Sequence, residues 1–464
     1  MATTQPTEPE AFAPDSPSGV LAHTLQSRHV TMISFGGIIG AGVFIGSSGA
    51  IHTGGPGVAL TYGACGILVF LIMRMLGEMA VANPGRGSFA EYAALALGPW
   101  AGFVTRWLYW YFWVFTVGAE TVAGAKLLHE LGLPGELWMI GLGLVLGLTA
   151  TNLLSVRAYG ELEFWFALLK VTAIALFILI GLGFLSIFGG GPTKAATTLL
   201  GHGGFLPKGA FGLLAAVPIV IFSMMGSEVA TIAASESADP AANVAKAGRT
   251  VALRIMVFYV LAMLVITSVV PWDSLTVGLS PFKRVLDQIG IPYSGLVMSV
   301  IVVTAVLSCL NSGLYITSRM LFELSKNGDA PRFLSTTAAN KTPAFGIAVG
   351  CVAGFGAALA QLFLRDDVFT LLSSTSGDII LFVYMIIALA QIRARNRMQA
   401  QGRTPSLKVW LFPWLSYAVI AAIAGVLILL ALMPDQRLTL ALSAATVAAT
   451  FAALMLRRKV ERVN

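Results

Sequence analysis

Four ionisable side chains stand inside stretches that are otherwise apolar: Glu120, Lys170, Glu228 and Asp378. A charge in such a setting is costly and marks function by default. Two glycine- and hydroxyl-rich cores accompany them. One runs from Ser34 to Gly46 (SFGGIIGAGVFIG), with glycines at 36, 37, 40, 42 and 46; the other runs from Pro218 to Glu228 (PIVIFSMMGSE). The chemistry these residues support is non-covalent. A chain that unwinds at such a core offers free N–H groups at a half-helix start, which attract a carboxylate. It also offers free carbonyls, which accept from an ammonium. A zwitterion satisfies both with no charged side chain in the site. The opposing reading is close helix packing, because Gly36/Gly40 and Gly42/Gly46 are both GxxxG pairs. No serine–histidine pair, phosphate loop or His/Glu metal cluster appears in the apolar stretches, and Cys65, Cys309 and Cys351 have no metal spacing. Neither an enzyme nor a metal or other cofactor is expected.

The elements that must position these residues are membrane helices. The chain has 464 residues, 57% hydrophobic and 11% charged, with mean hydropathy +0.83. Soluble chains carry roughly 25% charged residues. The net charge of +7 reads as cytoplasmic loops rich in Lys and Arg rather than as a nucleic-acid surface. Twelve stretches suffice for a span of about 20 apolar residues: 30–50, 56–80, 100–129, 134–154, 161–186, 210–233, 251–271, 293–321, 343–363, 368–391, 411–432 and 437–456. With both termini cytoplasmic, 21 Lys and Arg fall inside and 7 outside, which predicts a multi-pass inner (plasma) membrane protein of that orientation. Residues 1–27, with four prolines and three acids, predict a disordered cytoplasmic tail. Residues 87–98 predict an interfacial helix on the cytoplasmic side, and 272–292 an outer cap. The two cores fall in spans 1 and 6, which start on opposite sides of the membrane. That is the arrangement of a five-plus-five inverted repeat with discontinuous helices at the midplane. The predicted units are 28–186 (spans 1–5), 205–391 (spans 6–10), the peripheral helices of 411–456 and a tail at 457–464.

The chain resembles the amino acid permeases of the amino acid–polyamine–organocation superfamily, amino acid transporter family. Within it the resemblance is closest to the bacterial γ-aminobutyrate permeases. It is carried by SRHVTM (27–32), GGIIGAGVFIGSS (36–48), MRMLGEMAVANPGRGSFAEY (73–92), WLYWYFWV (107–114), NLLSVRAYGELEFWFALLKV (152–171), TIAASESADP (231–240), SCLNSGLYITSRML (308–321) and GDAP (328–331). The resemblance implies a LeuT-type all-α fold of twelve transmembrane helices with helices 1 and 6 broken. It also implies secondary active uptake coupled to protons. A substrate carboxylate is expected around Gly40, Ala41 and Gly42, and its amine on carbonyls of Ile38, Phe222, Ser223 and Met225. Phe222 stands where related permeases place an aromatic gate. The chain departs from those permeases at Gly42, where they tend to carry serine, and at Asp378, where they carry a small or apolar residue.

The buried charges then take roles. Lys170 lies about nine residues into its span, roughly 14 Å deep at 1.5 Å per residue. Related proton-coupled permeases carry a lysine there, so Lys170 is expected to couple protons, reaching span 1 carbonyls and Ser308 or Ser312. Glu120 reads as a proton relay or gate, or as half of a structural ion pair. Glu228 reads as a support for the unwound segment or as a substrate contact. Asp378 reads as a contact for a substrate amine, or as a protonated acid beside Ser376. Trp113 is a candidate gate with Phe222, against the plainer reading of a packing aromatic. Partners are therefore an amino acid, protons and lipid. An exchanger, or a permease for an aromatic or basic amino acid, is the alternative; a facilitator-superfamily carrier fits poorly with NPGRGSF between spans 2 and 3.

Overall fold

A computed structural model describes residues 39–83, 88–154, 156–188, 191–226, 228, 255–338, 342–364 and 367–461. Ile38, the 1–27 tail and the TIAASESADP motif lie outside the described residues. The described residues form helices and turns, with no strand among them. The helices are α1 (Ala41–Phe44), α2 (Gly46–Gly54), α3 (Val58–Ala82), α4 (Phe89–Leu97), α5 (Pro99–Glu130), α6 (Leu137–Leu154), α7 (Val156–Gly183), α8 (Gly191–Gly201), α9 (Gly209–Ala215), α10 (Val217–Ser223), α11 (Leu261–Val269), α12 (Pro281–Ile289), α13 (Ser294–Lys326), α14 (Ala344–Leu364), α15 (Asp367–Ala400), α16 (Trp414–Leu432) and α17 (Arg437–Glu461).

Each of the twelve apolar stretches contains helix. Seven helical runs among the described residues are long and apolar enough to cross a bilayer. The 25 residues of α3 extend about 37 Å, more than the ~30 Å of a hydrocarbon core. Among the described residues, the stretches at spans 1 and 6 give short helices: α1 and α2 in the first, α9 and α10 in the second.

Local chemistry explains the boundaries around the site helices. Ser88 caps α4 by accepting the N–H of Glu91 at 3.3 Å, the serine half of an S-x-x-E box. Gly98, at φ +108°, ends α4, and Pro99 opens α5 directly, where its missing N–H costs no hydrogen bond. The 87–98 stretch is thus a helix. The 272–292 stretch contributes α12, begun by Pro281 and closed by Gly290 at φ +81°.

The core is built on α5, which packs along α13, α14 and α15, while α10 lies against α15 and α1. Large apolar side chains of α16 and α17, including Ile428, Leu432, Leu438 and Met455, are more than 60% exposed. Such a surface is stable against lipid rather than water. The chain is a multi-pass membrane protein.

Candidate functional site

At Gly40 the backbone is extended (φ −131°, ψ −152°), and helix begins only at Ala41. A first-turn N–H has no acceptor within its own helix. The N–H of Ala41 donates instead to the carboxylate of Glu120, at 3.0 Å from Oε1 and 3.1 Å from Oε2. Glu120 comes from the middle of α5 and is buried. Glycine is required here by close approach. A Cβ at Gly40 would stand 2.5 Å from Glu120 Oε1 and 2.8 Å from Cys309 Cβ. One at Gly42 would stand 2.8 Å from Ser223 Cα and 3.0 Å from Phe222 Cδ1. The two glycines therefore bring α1 against α5 and α10. Helix is interrupted again at Ile45 (φ −122°, ψ −49°), whose carbonyl accepts from the Ser48 hydroxyl at 2.7 Å.

The second break follows α10. Helix ends at Ser223, whose hydroxyl donates to the Val220 carbonyl at 2.7 Å. The turn reaches Gly226 at φ +88°, a left-handed conformation natural to glycine. Glu228 holds this turn to α5: its Oε1 accepts from Tyr109 Oη at 2.8 Å and from the Gly226 N–H at 3.3 Å. The supporting role foreseen for Glu228 has this geometry.

Tyr109, Trp113, Thr116 and Glu120 recur along α5 at spacings of four, three and four, which places them on one helix face. A narrow cavity lies where that face meets both breaks. Its walls are Gly40, Gly42, Phe112, Trp113, Thr116, Glu120, Phe222, Ser223, Met225 and Cys309. The structure thus brings together the sequence-derived Gly40, Gly42, Phe222, Ser223, Met225, Glu120 and Trp113, with the Ala41 N–H bonded to the lining carboxylate of Glu120. Phe112, Thr116 and Cys309 escaped the sequence reading. The α5 pair could have been found from the helical spacing with Trp113 and Glu120; Cys309 carried no signal within its apolar run.

Lys170 belongs to a cluster on α7 and α13. Its Nζ donates to Ser308 Oγ at 2.8 Å on α13, and Ser308 in turn donates to Glu163 Oε2 at 2.6 Å. Glu163 Oε1 lies 3.6 Å from Nζ, and both charged side chains are fully buried. Glu163 was missed in the sequence, although it precedes Lys170 by seven residues, close to two helical turns and so on the same face. The ion pair makes a buried ammonium tolerable: each charge has an opposite partner and a shared hydroxyl.

Asp378 stands apart from the cavity. Its carboxyl is buried and faces Ser443 on α17, with Oδ2 3.5 Å from Ser443 Oγ. Its neighbour Ser376 is the one that reaches α5, lying 3.2 Å from Thr116 Oγ1 and donating to the Phe112 carbonyl at 3.1 Å. Placing Asp378 against a substrate amine is corrected by this geometry. Successive helix residues point about 100° apart, so with Ser376 on α5, Asp378 turns to the peripheral side.

Buried charges, a helix start and a helix end meeting over one cavity mark a multi-pass membrane protein with an internal polar site. The amino acid permease family model matches residues 29–457, and the chain belongs to that family. It is 43% identical to the γ-aminobutyric acid permease of Bacillus subtilis over 90% of this chain and 89% of that one. It is 44% identical to a probable GABA permease of Pseudomonas aeruginosa, over 91% and 90% respectively. The aromatic amino acid transport protein AroP of Corynebacterium glutamicum is 36% identical, over 88% and 89%.

Proposed function

We propose that this permease is a proton-coupled symporter that carries γ-aminobutyrate, or a small neutral amino acid, into the cell. It works from the inner membrane with both termini cytoplasmic, on twelve spans arranged as a five-plus-five inverted repeat. The observation that carries the reading is the carboxylate of Glu120 on the Ala41 N–H. The break already binds a carboxylate, and that carboxylate belongs to the protein. A substrate carboxylate entering the cavity competes for the same donor. Glu120 yields it most cheaply when protonated, because a neutral carboxyl is the weaker acceptor. Proton uptake and substrate binding are thereby linked at one N–H. The amine end of the substrate faces the carbonyls at the second break, those of Phe222, Ser223 and Met225. Lys170, tied to Ser308 and Glu163, is the second proton-coupling group. Phe222 and Trp113 close the cavity as gates.

The choice of γ-aminobutyrate rests on the relatives of that name. An aromatic α-amino acid is the second reading, supported by the aromatic permease among the relatives and by the rings of Phe112, Trp113 and Phe222 around the cavity. Uptake of a panel of labelled amino acids into proteoliposomes, with and without an imposed proton gradient, separates these cases. Accumulation of γ-aminobutyrate driven by the gradient is expected. Counterflow that ignores the gradient would make the protein an exchanger and sink the symport reading.

A further inference from the structure

Asp378 sits at a crossing of three helices. Ser376 bonds to α5, Gly377 packs so tightly on the Pro218 carbonyl of α10 that no Cβ fits, and Asp378 faces Ser443 and Thr439 on α17. Its carboxyl is fully buried, and Oδ1 has no hydrogen-bond partner; the nearby Thr375 Oγ1 is likewise unpartnered.

The donors decide its state. A serine hydroxyl carries one hydrogen. Ser443 Oγ has three acceptors in reach: the Thr439 carbonyl at 2.8 Å, the Thr375 carbonyl at 3.2 Å and Asp378 Oδ2 at 3.5 Å. The two carbonyls are nearer. The Thr439 hydroxyl donates to the Gln436 carbonyl at 2.9 Å. Each α17 hydroxyl thus has a carbonyl nearer than the carboxylate, and an ionised Asp378 gets at most a shared hydrogen from them. Among the described residues no cation is bonded to it either. The titratable groups on the packed elements point elsewhere: Glu120 to Ala41, Arg106 and Arg457 to Asp329, Glu78 to Arg395, and Arg437 to the Ala431 carbonyl. Glu91 of α4 lines a different cavity with Arg106 and Asp329. An ionised acid in this buried seam would have only shared or unengaged hydroxyls and no opposite charge among the described residues, less than a buried charge requires. A protonated one donates to the lone pair that Ser443 has free.

We propose that Asp378 is a proton-binding site on the α15–α17 seam, separate from both the cavity and the Lys170 cluster, holding its proton against Ser443 Oγ. The proton keeps α17 seated on α15. Losing it draws water toward the seam and shifts the stretch of α15 that also supplies Ser376 and Gly377 to α5 and α10. The proposal is independent of which substrate is carried.

The test is infrared difference spectroscopy on the full chain in proteoliposomes at neutral pH. The wild-type spectrum should contain a protonated-carboxyl stretch that Asp378→Asn loses and Ser443→Ala shifts. Thermal stability of the wild type should fall at alkaline pH, while that of Asp378→Asn, whose amide cannot ionise, should not. No carboxyl band lost in Asp378→Asn would overturn the proposal. So would stabilisation of the wild type, but not of the variant, by added sodium or potassium, since a metal cation would then hold the place of the proton. If Asp378→Asn does not fold, the band shift in Ser443→Ala decides alone, and an unshifted band overturns the proposal.

Discussion

Both carboxylate oxygens of Glu120 lie within 3.1 Å of the Ala41 amide nitrogen, 79 positions away in sequence. The contact joins the middle of α5 to the start of α1. It also fills the spot where a substrate carboxylate is expected. Hydrogen bonds to charged groups contribute about 1.5–3 kcal/mol. Removing the internal competitor in Glu120→Ala should therefore tighten substrate binding by roughly 10- to 100-fold, while gradient-driven accumulation is lost. Equilibrium binding in detergent and uptake in proteoliposomes read the two effects separately. Weaker binding by Glu120→Ala would show that Glu120 holds the substrate rather than competing with it.

Breaking the Lys170–Glu163 pair leaves one buried charge without its partner, which costs about 3–5 kcal/mol. Lys170→Gln and Glu163→Gln should each melt at markedly lower temperature than wild type. The double variant should recover much of that loss, because it buries no lone charge. Strictly additive losses in the thermal melts would argue against a coupled pair.

Gly42 lets α1 lie against α10, with 2.8 Å between its projected Cβ and Ser223 Cα. Gly42→Ser forces the helices apart or strains them, at about 1–3 kcal/mol. The expected outcome is a KM raised roughly tenfold with the protein still folded. Uptake kinetics across a substrate panel check this, and an unchanged KM would mean that the two breaks accommodate a side chain freely.

Another buried acid, Glu78 of α3, gathers distant segments. It accepts from Arg395 Nη1 at 2.7 Å, Gln391 Nε2 at 3.1 Å and the Val409 N–H at 2.6 Å. Arg74 on the same helix donates to the Lys408 carbonyl at 2.9 Å. Glu78→Ala strands Arg395 and should cost about 3–5 kcal/mol of stability. Limited proteolysis of the 401–413 segment, faster in Glu78→Ala than in wild type, is the second readout.

The class of protein was legible in the sequence because its physical causes are local. A run of apolar residues long enough for a bilayer is visible without a fold, and so is an excess of basic residues in alternate loops. Gly40 and Gly42, and the end of helix at Phe222–Gly226, were also legible, since glycine-rich cores weaken helix wherever they stand. Lys170 and Glu120 declared themselves as charges out of place. What each charge touches was not legible. Glu163 lay on the same helix face as Lys170 and went unnoticed, while Asp378 looked like a pocket residue from depth alone.

Depth is set by position along a span, and the sequence determines it. The direction a side chain faces depends on the rotation of its helix within the bundle, which only packing against α5, α10, α13 and α17 decides. That packing gave Glu120 to Ala41, Lys170 to Glu163 and Ser308, and Asp378 to Ser443. Composition and spacing thus determined a membrane protein with glycine-rich cores in two spans and buried charges, and the resemblance of its motifs marked it as a permease. The tertiary structure decided which of those charges meets the cavity, because a single residue's step around a helix turns a side chain by about 100°.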